Sequence, residues 1–118
     1  MIKQMSPQML VIDIERSLQF YIEVLGFQLD FRYGDFYAGI VMQHFSIHLK
    51  KGKRTAAEIE NRKYNEDLDI LFSVEDIENV HEEFVKKSMN FIQPLRIMPY
   101  GKEFYISDPD GNTIGFIE

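Results

Sequence analysis

The chain has 118 residues, of which 45% are hydrophobic and 27% charged, with a formal net charge of −6 and no cysteine. This length supports one domain with its own core, and no apolar run is long enough to cross a bilayer. The acidic charge disfavours nucleic-acid partners, and an N-terminus without the apolar segment of a secretory signal makes the cytoplasm the expected location.

In chain order, an internal repeat predicts the organisation of the fold. Val-Ile-Asp-Ile-Glu at 11–15 recurs as Val-Glu-Asp-Ile-Glu at 74–78, and each copy ends a strand-like run and begins a helix-like one. The first copy follows a predicted strand at 8–12, and the second follows one at 68–74. Amphipathic helices follow, from Ile14 to Leu25 and from Ile77 onward. Three predicted strands come after each helix, at 27–33, 37–42 and 46–50, then at 91–96, 102–107 and 113–117. The pattern is therefore βαβββ twice, an α+β fold.

The residues at the helix ends have capping chemistry. Asp13 and Asp76 stand where a carboxylate can accept backbone N–H groups at the start of each helix, which we prefer to a catalytic role. Gly26 and Asn90 are expected to end the two helices in the left-handed conformation.

A polar segment separates the two repeats. Residues 51–67 are rich in charge and predict a linker with one helical turn around 56–61, between module one at 1–50 and module two at 68–118. The basic cluster at 50–54 is interpreted as a solvated loop rather than a phosphate site. We therefore expect a single domain over 1–118 that is built from two modules.

The last third of the chain contains a well-defined turn. Asp108-Pro109-Asp110-Gly111 has the residue profile of a type I turn, and β-forming residues flank it, so a hairpin is predicted. Upstream, Tyr100 lies in a Pro-Tyr-Gly turn and has no helical or strand stripe to join. We therefore favour a ligand or interface role for Tyr100.

Several of these motifs resemble one superfamily. Residues 11–21 running into Leu25-Gly26-Phe27, with Asp108-Pro109-Asp110-Gly111-Asn112, resemble the glyoxalase/bleomycin-resistance/dioxygenase superfamily. Segments 29–31, 35–41 and 99–104 are similar to bleomycin-resistance proteins in particular. The resemblance implies curved mixed sheets whose faces opposite the helices form a cavity. It also implies a homodimer with two equivalent sites, and exchange of N-terminal strands is an open alternative.

The resemblance also identifies where a metal would bind. Metal-dependent relatives carry one ligand on the first and last strands of each module, positions that fall here on Ser6, His48, Asp69 and Gly115. Only His48 and Asp69 could ligate an ion, whereas catalytic zinc and iron sites need about three protein ligands. We therefore predict no cofactor and no tight metal site. His44 shares a predicted strand face with His48 and could lie nearby, but a half-exposed, hydrogen-bonded residue is the preferred interpretation. For His81, a solvent or boundary position is expected.

Aromatic residues are the remaining candidates for ligand binding, because their faces bind cations and stack on planar rings. By resemblance, the ligand-binding residues are Asp30, Phe31, Phe36, Tyr37, His48, Tyr100 and Gly101. For Phe31 and Phe36, packing in the core or a dimer interface is the alternative. The sequence thus predicts a bleomycin-resistance-like protein that sequesters a planar or cationic small molecule, such as a bleomycin-type antibiotic, without metal catalysis. The alternatives are a metal-dependent lyase or dioxygenase with an atypical site, and a ligand sensor.

Overall fold

The computed structural model describes residues 1–118 and divides them into two compact units, Met1–Thr55 and Ala56–Glu118. Each unit contains one four-stranded mixed sheet in which the first strand pairs in parallel with the last. The predicted α+β fold with two βαβββ modules is confirmed. No helix has the length and apolar character needed to span a membrane.

The first unit follows the predicted element order. Its elements are β1 (Gln8–Val11), α1 (Ile14–Gln19), a π-helical continuation (Phe20–Val24), β2 (Gln28–Tyr33), β3 (Tyr37–Met42) and β4 (Phe45–Lys51). The strands lie in the order β1-β4-β3-β2, which we call the first sheet. Ile40, Ile47 and Leu49 are fully buried on one face of this sheet, as are Ile14 and Tyr21 of the helical segment. The alternate strand residues occupy the opposite face.

The second unit repeats this pattern after an additional helix. Its elements are α2 (Ala56–Tyr64), β5 (Ile70–Ser73), α3 (Ile77–Lys86), β6 (Asn90–Met98), β7 (Gly101–Ser107) and β8 (Thr113–Ile117). The strand order is β5-β8-β7-β6, the second sheet. Phe84 of α3 packs edge-on against Phe104 and Phe116, at ring distances of 5.8 and 5.1 Å.

The segment expected to be a linker with one helical turn contains the nine-residue helix α2.

The two helix starts differ, although their sequences are alike. The Asp13 carboxylate accepts the backbone N–H of Arg16 at 3.1 Å, which confirms its N-cap role. Asp76 makes no side-chain cap hydrogen bond and has a left-handed backbone with φ of 55°, so the equivalent prediction is wrong. The side chain of Glu118 accepts the N–H groups of Asp76 and Ile77 instead, each at 2.9 Å. A residue distant in sequence thus replaces the local cap.

The helix ends also differ from each other. Gly26 has a φ of 89°, as expected after the first helical segment. The prediction that Asn90 ends α3 is wrong, because Asn90 already belongs to β6. Ser88 adopts the left-handed conformation there, with a φ of 56°.

The predicted hairpin between β7 and β8 is confirmed. One oxygen of the buried Asp108 carboxylate accepts the N–H groups of Asp110 and Asn112 at 2.8 Å each, and the other accepts the Asn112 amide at 2.9 Å. Gly111 has a φ of 85°, and a Cβ there would lie 2.8 Å from Ile59 of α2. The Asp108 carboxylate therefore holds the turn together from within, and Gly111 packs against α2.

Candidate ligand-binding site

An open cleft of about 580 Å³ lies on the face of the first sheet opposite its buried aliphatic residues. Its lining consists of Gln4, Ser6, Gln8, Asp30, Phe31, Tyr37, Ser46 and His48. This lining contains one carboxylate, Asp30, and neither lysine nor arginine. The cleft thus combines an acidic group with aromatic and neutral polar surface.

Strand register explains why side chains from distant positions meet here. His48 of β4 lies opposite Gln8 of β1 on one side and Gly39 of β3 on the other. Gly39 in turn lies opposite Phe31 of β2. Because paired residues of neighbouring strands share a face, the register brings these four positions into one row across the sheet.

A bulge in β2 places two consecutive residues at the cleft. The pairing with β3 shifts between Leu29 and Phe31, whereas regular alternation would direct Asp30 and Phe31 to opposite faces. Both residues line the cleft. The bulge therefore puts a carboxylate beside an aromatic ring.

The Phe31 ring lies directly across the backbone of Gly39. A Cβ at Gly39 would be 2.1 Å from Cε2 of Phe31, so only glycine leaves room for this ring position. The ring is nearly parallel to Tyr37, with centroids 6.0 Å apart and an interplanar angle of 15°. It meets His48 edge-on at 5.1 Å and 88°. We call Phe31 and Tyr37 the aromatic wall of the cleft.

Hydrogen bonds fix the polar groups around this wall. The Tyr37 hydroxyl lies 2.8 Å from Nδ1 of His48 and donates to Oε1 of Gln8 at 3.2 Å. The backbone N–H of His48 donates to the carbonyl of Pro7 at 2.9 Å, which holds the segment before β1 against β4. These hydrogen bonds thus position the side chains that β1, β3 and β4 contribute to the cleft.

Four of the predicted ligand-binding residues lie together in this cleft: Asp30, Phe31, Tyr37 and His48. Phe36 is 59% exposed in the turn between β2 and β3 and lies outside the lining. His44 is an exposed residue of the next turn rather than a strand neighbour of His48. Tyr100 and Gly101 belong to the second unit. His81 is half-buried and contacts the rings of Phe91 and Phe104, a boundary position.

Tyr100 is anchored at its hydroxyl, although its side chain is 60% exposed. The hydroxyl donates to Glu103 at 2.8 Å, and Glu103 itself is only 2% exposed. Arg96 donates from Nε to the other Glu103 oxygen at 2.8 Å, and Tyr105 donates to that oxygen at 3.0 Å. A salt bridge at 3.2 Å also joins Arg96 to Glu66. These five side chains form what we call the Glu103 cluster.

Electrostatics within the Glu103 cluster follow from these bonds. Burial alone would raise the pKa of Glu103, but hydrogen bonds from Tyr100, Arg96 and Tyr105 outweigh it and hold the pKa below its ordinary value. The hydrogen bond to this carboxylate raises the pKa of Tyr100, and desolvation together with the same carboxylate raises that of Tyr105. The cluster is therefore a carboxylate–guanidinium pair with two neutral phenols.

Gly101 has a structural reason to be glycine. Its φ is 138°, and a Cβ there would lie 2.3 Å from the carbonyl oxygen of Glu118. The neighbouring Lys102 exchanges two backbone hydrogen bonds with Glu118, each at 2.9 Å. Close approach of two backbone segments thus accounts for this residue, whatever its role toward a ligand.

The positions that hold metal in related enzymes do not fit a metal site here. Asp69 forms a salt bridge with Arg62 and accepts the N–H of Thr113 at 2.8 Å, so its carboxylate is already engaged. No group of three or more His, Cys, Asp or Glu side chains in the chain is placed to hold a metal ion.

The fourth position, Gly115, has no space for a ligating side chain. A Cβ there would lie 2.9 Å from Leu71 and 3.0 Å from Leu68, so both leucines would have to move to admit a carboxylate.

Some functional groups are not apparent from the sequence alone. On the β1 side of the cleft, Ser6 is singled out only as a family metal position. Gln8 has no signal beyond its alternation with the buried Met9 and Val11, and β1 is too short for that pattern to stand out. The Glu103 cluster has no such signal, because β6 is bulged at two places and the pairing of Arg96 with Glu103 cannot be read from spacing.

Comparison with known proteins agrees with this architecture. The family model of the Glyoxalase/Bleomycin resistance protein/Dioxygenase superfamily matches residues 5–116. The chain therefore belongs to this superfamily. No curated protein sequence gives a significant match.

Solved structures with the same fold carry different functions. One is the bleomycin-binding protein of Streptomyces verticillus in complex with copper(II)-bleomycin, with 22% identity, a TM-score of 0.69, and 99% of this chain and 98% of that chain covered. Lactoylglutathione lyase from Agrobacterium tumefaciens has 15% identity and a TM-score of 0.76, with 98% and 92% covered. A fosfomycin resistance protein of Listeria monocytogenes has 14% identity and a TM-score of 0.74, with 99% and 93% covered. At these identities the likeness shows the fold alone.

Proposed function

We propose that this protein binds a planar or cationic small molecule and sequesters it without metal-dependent conversion. The observation that carries the proposal is the aromatic wall of Phe31 and Tyr37, which lies beside Asp30 in a cleft that no lysine or arginine lines. Aromatic faces attract cations and stack on flat rings, and a nearby carboxylate adds Coulombic attraction. The cleft volume of about 580 Å³ also falls within the usual range of roughly 300–1,000 Å³ for small-molecule sites.

A bleomycin-type antibiotic is the specific ligand we propose to test first. Such drugs combine a flat bithiazole with a cationic tail, which matches the chemistry of the cleft. The fold likeness to a protein solved with copper(II)-bleomycin supports the same choice. By family, we also propose a cytoplasmic homodimer in which Phe36, Tyr100 and Gly101 contribute to binding, with a role in antibiotic resistance.

Titration with bleomycin and with proflavine, a planar aromatic cation, tests the proposal. The chain has six tyrosines and no tryptophan, so ligand stacking on Tyr37 is expected to quench a measurable share of the fluorescence. Asp30→Asn should weaken binding of the cation about fivefold, because an exposed unit charge at contact distance contributes about 1 kcal/mol. Asp35→Asn is the matched control, since it removes the same charge from the same hairpin but outside the cleft. Equal effects of the two variants, or no binding of either compound, would contradict the proposal.

The alternative is a metal-dependent lyase or dioxygenase, and it rests on His48 in the cleft and on the fold shared with lactoylglutathione lyase. The engaged carboxylate of Asp69 and the covered position of Gly115 disfavour it. Metal analysis of protein purified without chelator decides between the two. One equivalent of transition metal per chain, lost in His48→Gln, would establish the metal site and overturn the proposal of metal-free binding.

A further inference from the structure

The contacts between Gln8, Tyr37 and His48 favour one arrangement of their protons. Oε1 of Gln8 is only an acceptor, so the single hydroxyl proton of Tyr37 points to it across 3.2 Å. With its proton used there, the Tyr37 oxygen can only accept from Nδ1 of His48, 2.8 Å away. A neutral His48 therefore carries its proton on Nδ1, which leaves Nε2 with a free lone pair.

The surroundings of His48 hold the ring in this arrangement. The Phe31 ring meets the His48 ring edge-on and the Tyr37 hydroxyl contacts its Nδ1, while the backbone N–H of His48 is bound to the Pro7 carbonyl, so ring and backbone are both held. Nε2 has no partner within the protein, and the residue lines the cleft. The ionisable side chains that line the cleft with it are Asp30 and Tyr37, and Asp30 is the one that carries charge.

We propose that His48 uses Nε2 as a hydrogen-bond acceptor for the ligand and that, with Asp30, it selects planar ligands with N–H donors. This inference rests on the proposed binding function and specifies its ligand class. Asp30 and Nε2 both accept hydrogen bonds and border the aromatic wall, so aryl amidines, guanidines and amino-substituted heteroaromatic rings fit the site. Compounds with the same rings but fully alkylated amino groups keep the stacking and lose the hydrogen bonds that those amino groups would donate.

Tautomer measurement tests the first half of the proposal without any ligand. Two-bond proton–nitrogen correlation spectra of nitrogen-15-labelled protein, at a pH where the ring is neutral, distinguish a proton on Nδ1 from one on Nε2. His48 should show the Nδ1–H form, and Tyr37→Phe should convert it to the Nε2–H form. His44 and His81 serve as internal references because neither contacts Tyr37 or Gln8 in the structure. An Nε2–H form of His48 in the unaltered protein would overturn the inference.

Two dyes test the second half. Proflavine and acridine orange share a fused aromatic cation with a protonated ring nitrogen, but the outer amino groups carry hydrogens in the first and only methyl groups in the second, so the comparison isolates the outer donors. Proflavine should bind about tenfold more tightly, the effect of roughly one hydrogen bond to a partly buried acceptor. His48→Phe keeps an aromatic ring without Nε2, and it should reduce the preference to less than about twofold while both dyes still bind.

The outcomes separate this inference from the proposed function. Equal binding of both dyes to the unaltered protein overturns donor selection and leaves the proposed function standing. Binding of neither dye overturns the proposed function for planar cations and the ligand class with it. A preference for proflavine that persists in His48→Phe would refute the role of Nε2.

Discussion

Replacing Gly39 with alanine tests the central packing feature of the cleft. The new Cβ would lie 2.1 Å from Cε2 of Phe31, whereas ordinary contact begins at 3.4 Å, so the ring would have to move by 3.4 − 2.1 = 1.3 Å. Movement of this size separates Phe31 from Tyr37 and His48, and overpacking of this kind costs about 1–3 kcal/mol. Alanine in a strand regains about 0.5–1 kcal/mol relative to glycine. The net loss in unfolding free energy should therefore be about 0–2.5 kcal/mol.

A double-mutant cycle with Phe31→Ala isolates the cause. Once the ring is absent, Gly39→Ala has nothing to displace, so it should become stabilising by about 0.5–1 kcal/mol. Urea denaturation of the four proteins gives the coupling energy, expected at about 1–3 kcal/mol. Ligand titration should show that Gly39→Ala also weakens binding of proflavine. If Gly39→Ala destabilises the protein equally with and without Phe31, glycine is required there for another reason and the proposed packing is wrong.

Three further predictions concern the second unit and the helix starts. Glu103→Gln should destabilise by about 1–3 kcal/mol, because it removes the charge of a buried carboxylate that accepts hydrogen bonds from Arg96, Tyr100 and Tyr105. Since folding lowers the pKa of Glu103, the stability that its carboxylate contributes is present above the ordinary pKa of 4.5 and is lost as the pH falls through the lower folded value. In denaturation at a series of pH values, the difference in unfolding free energy between the variant and the unaltered protein should therefore shrink below pH 4.5. Glu118→Ala should cost about 1 kcal/mol in thermal or urea unfolding, as Asp13→Ala should, because each removes a helix cap; no loss for Glu118→Ala would refute its role. Asp76→Gly should be neutral or stabilising, since its side chain caps nothing and glycine prefers its left-handed backbone; a loss of more than about 1 kcal/mol would restore Asp76 as the cap.

Much of the fold is predictable because its signals are local. Short strand-like runs predict Tyr37–Met42 and Thr113–Ile117 with the bounds observed, and the Asp108 carboxylate accepts backbone N–H groups of its own turn. Only one turn of helix α2 is predictable from the sequence, because none of its residues is buried and its apolar pattern is weak. The prediction of Asp76 as the cap of α3 is wrong for a different reason. The cap comes from Glu118, and no pattern near Asp76 indicates that contact.

The candidate site is less predictable because it depends on register and on one bulge. The family resemblance directs attention to Asp30 and Phe31, yet only the shifted pairing of β2 with β3 explains how both reach the same cleft. The packing of Phe31 over Gly39 is likewise a contact between strands. A glycine within a strand indicates a close approach but not which residue makes it. His48 was identified as a family position, but its proton arrangement requires the bond to Tyr37.

Corresponding strands pair in the same way in the two modules, but the residues at one pair of equivalent positions are exchanged. In the first sheet, Gly39 of β3 pairs with His48 of β4, and in the second, Tyr105 of β7 pairs with Gly115 of β8. A small residue thus faces a ring in both, but the ring and the glycine have exchanged strands.

This exchange decides which polar groups are available to a ligand. His48 keeps Nε2 free in an open cleft, whereas Gly115 is covered by leucines and the Tyr105 hydroxyl is bound to Glu103. Polar groups that satisfy each other contribute to stability and have little left to offer a ligand. The repeat therefore predicts the topology of both modules equally well, while the free acceptors lie in the cleft of the first and the hydroxyl, carboxylate and guanidinium groups of the Glu103 cluster in the second satisfy one another.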